Sequence, residues 1–218
     1  MRMCSKQRAL HNSEGFFVTI EGIEGAGKST LASSLQKHLA SEGFDVVVTA
    51  EPGGDPVAEK IRDILLDRTN IISVRAELLL FESARAQHVE MVILPALRRG
   101  CIVISDRFAD SSLAYQGWAR GQNVEEIRML NDYATCGLRP NLTLLLDLPP
   151  QEGLARQQKV DRMSAENIAF HEAVRNGYLE LAKCEPDRFV VIDATMESDE
   201  VLKMAIDAIE ERVRQVKS

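Results

Sequence analysis

The stretch FFVTIEGIEGAGKST, Phe16 to Thr30, decides how the rest of the chain is read. A short apolar run, Phe16 to Ile20, ends at Glu21. Gly22, Ile23, Glu24, Gly25, Ala26, Gly27, Lys28, Ser29 and Thr30 follow. Gly22 to Ser29 fits G-x-x-x-x-G-K-[ST], with a strand-like run before it and a helix-forming stretch after it, the context this motif requires. The glycines let the backbone curl so that its N–H groups point inward, and the helix N-terminus adds partial positive charge. Lys28 is placed to reach β- and γ-phosphates, and the Ser29 hydroxyl to bind Mg²⁺. Gly22 to Thr30 is therefore expected to cradle a nucleoside triphosphate. The loop leaves open where the phosphoryl group goes.

Composition narrows the classes. The chain has 218 residues and a formal net charge of −7, with 45 % hydrophobic and 27 % charged residues. That is ordinary for a globular domain with a full core. Such an acidic chain argues against nucleic acid or an anionic membrane as a bulk partner. Any phosphate must be held by a local positive site. Cys4, Cys101, Cys136 and Cys184 make no C-x-x-C pair and no cluster with histidine, so they read as reduced thiols in a cytoplasmic protein. Residues 1–14 contain no apolar core of a signal peptide and are expected to form a flexible tail. No apolar run approaches the roughly 20 residues that span a bilayer.

Strand-like runs recur along the chain: FDVVVT from Phe44, CIVIS from Cys101, LTLLLDL from Leu142 and RFVVID from Arg188. Helical stretches lie between them, at Lys28–Ser41, Val57–Asp67, Glu77–Arg99, Val124–Thr135, within Gln151–Ala182 and at Asp199–Val216. This alternation predicts an α/β fold of the P-loop NTPase type, a five-stranded parallel sheet with helices on both faces. Glu77–Arg99 is apolar almost all round, which predicts burial on more than one side, one side meeting the sheet and another a second subunit. Pro95 is expected to kink or tighten its last turns.

A switch GTPase would carry a D-x-x-G turn and an N-K-x-D guanine reader, and neither occurs in a suitable place. Two other segments stand at strand ends instead, EPGGDPVAEKIR from Glu51 and SDRFADSSLAYQG from Ser105. In open α/β sheets ligands bind beyond the carboxyl ends of the strands, so both share a rim with the glycine-rich loop. That placement suits two nucleotides meeting end to end.

EGIEGAGKST, EPGG, LLLFESARAQHVE, SDRFADSSLAYQG and GLARQQKVDR occur here in the order found in bacterial thymidylate kinases, which the chain resembles from about Phe16 to its last helix. The resemblance implies a single kinase domain over 15–218, and transfer of the γ-phosphoryl of ATP, with Mg²⁺, to dTMP. It places Arg107 and Arg62 on the acceptor phosphate, where a planar guanidinium suits a phosphate bidentately. Glu24 matches an acid that contacts the sugar 3′-hydroxyl, Glu51 supports the phosphate arginines, and Asp106 joins Ser29 at Mg²⁺. Phe81 stacks on thymine, Arg85 one turn later donates to its O4, and Ser112 and Gln116 bond the remaining polar edge. Tyr115 crowds the 2′ position. A short lid over about 154–166 supplies transition-state charge through Arg156 or Arg162, with Lys159 as a further candidate. The family's catalytic set is thus Lys28, Arg107, Arg156 and Arg162, acting in a homodimer. Four departures stand out: the lid is arginine-poor, Ser164 replaces a glutamate, Ala50 replaces an arginine, and Asp55 stands where threonine is common.

Overall fold

The computed structural model describes residues 15–157 and 160–217. Five parallel strands, β1 (Phe16–Glu21), β2 (Val46–Ala50), β3 (Ile102–Asp106), β4 (Leu142–Asp147) and β5 (Phe189–Asp193), form an open sheet in the order β2-β3-β1-β4-β5. From β1 the chain goes to the edge strand β2, returns inward to β3, and then crosses to β4 and β5 on the other side. β1 is therefore the switch point, and a crevice opens beyond its carboxyl end.

Alternation along the strands divides the core between the two faces of the sheet. Phe16, Val18 and Ile20 of β1 pack with Ile102 and Ile104 of β3 on one face. Phe17 and Val103 pack with Val89, Ile93 and Leu97 on the other. Every residue of β1 is buried, as expected of a central parallel strand covered on both sides. On the first face lie α1 (Lys28–Ser41), α8 (Ile168–Cys184) and α9 (Ser198–Lys217), whose Leu35, Tyr178 and Ala205 belong to that core.

The second face is covered by α3 (Val74–His88), which runs on through a π-helical turn, Val89–Ile93, into α4 (Leu94–Arg98). In place of the kink or tightening expected of Pro95, the helix widens just ahead of it. Pro95 has no N–H for the Met91 carbonyl, and its ring would crowd that carbonyl. α3 also packs on α2 (Pro56–Leu66) and α6 (Val124–Ala134).

Boundaries differ from expectation by one to three residues, most at α3, which begins at Val74 rather than Glu77. β2 begins at Val46 rather than Phe44, and α2 begins at Pro56 because Asp55 caps it. The Asp55 carboxylate accepts from Val57 N at 2.8 Å, with Pro56 at the first helical position. Its charge is thus explained by a helix end. The serine-rich stretch after β3, read only as a motif, is helical: α5 (Ala109–Ser112) continues into a π turn, Leu113–Ala119. The stretch 151–182 splits into α7 (Pro150–Arg156) and α8. The expected tail over 1–14 lies outside the described residues, as does Lys159.

Candidate active site

The glycine-rich loop joins β1 to α1, and Gly22, Gly25 and Gly27 all take positive φ, at 142°, 73° and 91°. Lys28 is buried at the first turn of α1, and its Nζ donates to Ile23 O at 2.7 Å. Burial and the nearby Arg107 lower its pKa to about 8, against the opposing pull of Asp106, Glu24 and Glu21. Ser29 Oγ lies 2.5 Å from Asp106 Oδ2 at the end of β3. Thr30 follows on the exposed side of α1.

Arg107 is the residue that joins this loop to a second site. It follows β3 with φ 73°, a left-handed conformation that costs a non-glycine residue about 1–2 kcal/mol. Three bonds hold the turn. Arg107 N donates to Ile20 O at 3.0 Å, Ser105 Oγ donates to Arg107 O at 2.7 Å, and Phe108 N donates to Glu21 Oε1 at 2.7 Å. The guanidinium then reaches Gly22 O at 3.0 Å and Glu24 Oε1 at 2.9 Å, and lies over the Tyr115 ring at 4.9 Å. Burial alone would raise the Glu24 carboxyl. Arg107, His171, Lys28 and Tyr115 outweigh it and hold Glu24 well below the usual carboxylate range.

Beside Arg107 a pocket of about 610 Å³, counting the solvent at its mouth, opens between α2, α3 and α5. All nine residues assigned to the acceptor line it: Glu24, Glu51, Arg62, Phe81, Arg85, Arg107, Ser112, Tyr115 and Gln116. Arg62 Nη1 donates to Pro52 O at 2.5 Å. Phe81 is half-buried, which leaves ring surface toward the pocket. Arg85 is 2 % exposed and tightly held. It donates to Glu51 at 2.8 Å, Glu82 at 2.6 Å, Ser112 at 2.9 Å, Asn131 at 2.8 Å and Phe108 O at 3.1 Å. Glu51 thus supports Arg85, and also His88 at 3.0 Å, rather than the phosphate arginines Arg62 and Arg107. Tyr115 and Gln116 sit in the π turn after α5, where the widened backbone sets both on the pocket wall.

The lid arginines hold partners outside the loop. Arg156, at the end of α7, donates to Ala194 O at 2.9 Å. Arg162 donates to Leu65 O at 2.6 Å and Glu77 Oε2 at 2.6 Å, which ties its segment to the end of α2. Ser164 contributes to the turn that presents Arg162, accepting from Asp161 N at 2.8 Å.

Glu21, His171 and Tyr178 reach the site without having been singled out. Glu21 takes the Ser111 hydroxyl at 2.7 Å and the Tyr178 hydroxyl at 2.8 Å, and burial with Asp110 nearby raises its carboxyl to about 7 against Arg107, Ser111 and Tyr178. His171 Nδ1 lies 3.2 Å from Glu24 Oε2, fully buried and without a well-aligned hydrogen-bond partner at either nitrogen. His171 and Tyr178 are seven residues apart, hence on one face of α8. That polar pair on an apolar helix face was the signal to find them.

A P-loop opening into a second pocket, with an arginine and an acid common to both, defines a phosphotransferase with separate donor and acceptor sites. The Thymidylate kinase family model matches residues 20–205, and the chain belongs to that family. It is 48 % identical over 205 residues to the thymidylate kinase of Caldanaerobacter subterraneus subsp. tengcongensis, covering 93 % of this chain and 99 % of that protein. It is 47 % identical over 209 residues to that of Lactobacillus helveticus, with the same coverage. The crystal structure of thymidylate kinase from Ehrlichia chaffeensis superposes with a TM-score of 0.75 at 33 % identity, covering 90 % of this chain and 98 % of that one.

Proposed function

We propose that this chain transfers the γ-phosphoryl group of ATP to the phosphate of dTMP, giving ADP and dTDP for dTTP synthesis. The observation that carries this reading is Arg107, which touches both the loop that would hold the donor and the pocket that would hold the acceptor. An acceptor phosphate is already ionised near neutral pH, so the site needs no strong base; positioning and charge neutralisation suffice. The bond from the γ-phosphorus to the bridging oxygen breaks, that oxygen stays on ADP, and an acceptor oxygen forms the new bond. Lys28 and the loop N–H groups hold the donor. Arg107 and Arg62 hold the acceptor phosphate, Glu24 and Tyr115 the sugar, and Phe81, Arg85, Ser112 and Gln116 the base.

Mg²⁺ fits the oxygen pair Ser29 and Asp106. Among the described residues no cluster of three or more His, Cys, Asp or Glu is present that would hold a metal alone. A hard cation that keeps waters and binds phosphate oxygens needs only such a partial site. When bound, it neutralises charge on the β- and γ-phosphates. The lid, with Arg156, Arg162 and Lys159, closes over the donor and excludes water. To reach the phosphates Arg156 has to leave Ala194 O, and Arg162 has to leave both Leu65 O and Glu77, which keeps Arg120. No described helix is long and apolar enough to cross a membrane. The acidic composition supports a cytoplasmic enzyme without nucleic-acid partners.

The test is ADP formation from ATP and Mg²⁺ with each nucleoside monophosphate offered singly. Turnover with dTMP well above dGMP and dAMP is expected. Turnover only with another acceptor would discard the roles of Phe81, Arg85 and Gln116.

A further inference from the structure

An amide side chain has a donor end and an acceptor end of nearly equal shape, so a glutamine reading a base needs something to orient it. Gln116 has such a neighbour. Glu77, at the first turn of α3 and 1 % exposed, accepts from Gln116 Nε2 at 3.0 Å through Oε1. The same carboxylate takes Arg120 Nε at 3.2 Å and Nη2 at 3.3 Å, and Arg162 Nη1 at 2.6 Å. Burial alone would favour the protonated acid, but the bonds from Gln116, Arg120 and Arg162 hold Glu77 below the usual carboxylate range. An ionised carboxylate only accepts, so the Gln116 NH₂ group must face it. The Gln116 oxygen is then the end left to the pocket. Arg85, on the same pocket wall, has no acceptor at all.

We infer that Glu77 is a specificity-determining positioning residue, fixing Gln116 so that the pocket offers one acceptor beside one donor. That pair complements a pyrimidine with a ring N–H next to a carbonyl, as in thymine and uracil. It opposes cytosine, whose ring nitrogen accepts and whose exocyclic nitrogen donates. The inference rests on the base lying between Phe81, Arg85 and Gln116. Mismatched polar groups in a desolvated site are rejected strongly, which gives the orientation its effect.

In Glu77→Gln, Arg120, joined by Arg162 while the lid is open, would hold the new amide oxygen, turning its NH₂ toward Gln116 and reversing Gln116 in turn. dTMP and 5-methyl-dCMP differ only at the edge in question, so their kcat/KM ratio is the readout, at saturating ATP. Glu77→Gln is expected to narrow that ratio about tenfold or more, chiefly through KM, the size of one desolvated hydrogen bond to a charged or oriented group. The dTMP to dUMP ratio, which reports the methyl group, should not move. Glu77→Asp keeps an acceptor-only group and should keep the ratio despite poorer packing; Glu77→Met frees the amide by a second route and should narrow it, should the glutamine variant fold poorly. In a Gln116→Leu background Glu77→Gln should add nothing further. An unchanged ratio in both uncharged variants, or equal narrowing with and without Gln116, overturns the inference. A ratio insensitive to Gln116→Leu itself would instead refute the placement of the base, and the role of Glu77 with it.

Discussion

Glu21 stands directly before the loop, yet its work is done beneath Arg107. Its two oxygens receive the Phe108 N–H and the hydroxyls of Ser111 and Tyr178, which fixes the left-handed turn that aims the arginine. Burial, with Asp110 nearby, raises its pKa to about 7 from 4.5. Between those values the folded chain keeps a proton that the unfolded chain has released. Stability contributed by this group is therefore present below 4.5 and lost as pH rises toward 7. Glu21→Gln removes the titration. Thermal unfolding from pH 5 to 8 should show the variant losing less stability with rising pH than the parent. A parallel pair of curves would mean that Glu21 titrates normally.

Among the elements, α7 packs backbone to backbone on the loop. A Cβ added at Gly153 would fall on the carbonyl oxygen of Glu24, and one at Gly25 on the carbonyl of Gly153. The two backbones touch because neither carries a side chain. Glycine to alanine inside a helix usually stabilises by about 0.5–1 kcal/mol. Gly153→Ala should do the reverse, lowering the unfolding temperature and raising KM for ATP about tenfold as α7 is pushed off the loop, on the scale of the 1–3 kcal/mol cost of overpacking. KM for dTMP should change less, because the acceptor pocket lies on the far side of Glu24. Unchanged ATP kinetics with a higher unfolding temperature would show that the contact relaxes freely.

At the level of the assembled protein, the expected second copy has exposed apolar surface to meet on α2, on α3 and on the π turn that follows it. Leu79 and Met91 are 53 % and 58 % exposed on the helix that already packs on the sheet. Val57 and Ile64 are exposed seven residues apart on one face of the neighbouring α2. Sedimentation at micromolar concentration should give twice the 24.3 kDa of the chain, and Leu79→Glu with Met91→Glu should return it to one. A single-chain mass for the parent would remove the dimer from the account.

Much of this protein was legible before folding because the signals are local. Strand-loop-helix periodicity around Phe16 to Thr30, and its alternation to Asp193, determined an open parallel sheet with a phosphate loop on its rim. The nine residues named for the acceptor came through the resemblance to bacterial thymidylate kinases, and all nine line one pocket. The partners of those residues did not. Glu24 and Arg107 are 83 positions apart, and Glu77 and Arg162 are 85. Charge and residue type allow each arginine many acids, and only the strand order β2-β3-β1-β4-β5 decides which acid lies within reach. That is why Glu51 turned out to hold Arg85, why Arg162 is tied to Glu77, and why Glu21, His171 and Tyr178 entered the site unannounced. A loop's shape is written in consecutive residues; the environment of a side chain is set by chain segments that meet only when the sheet has formed.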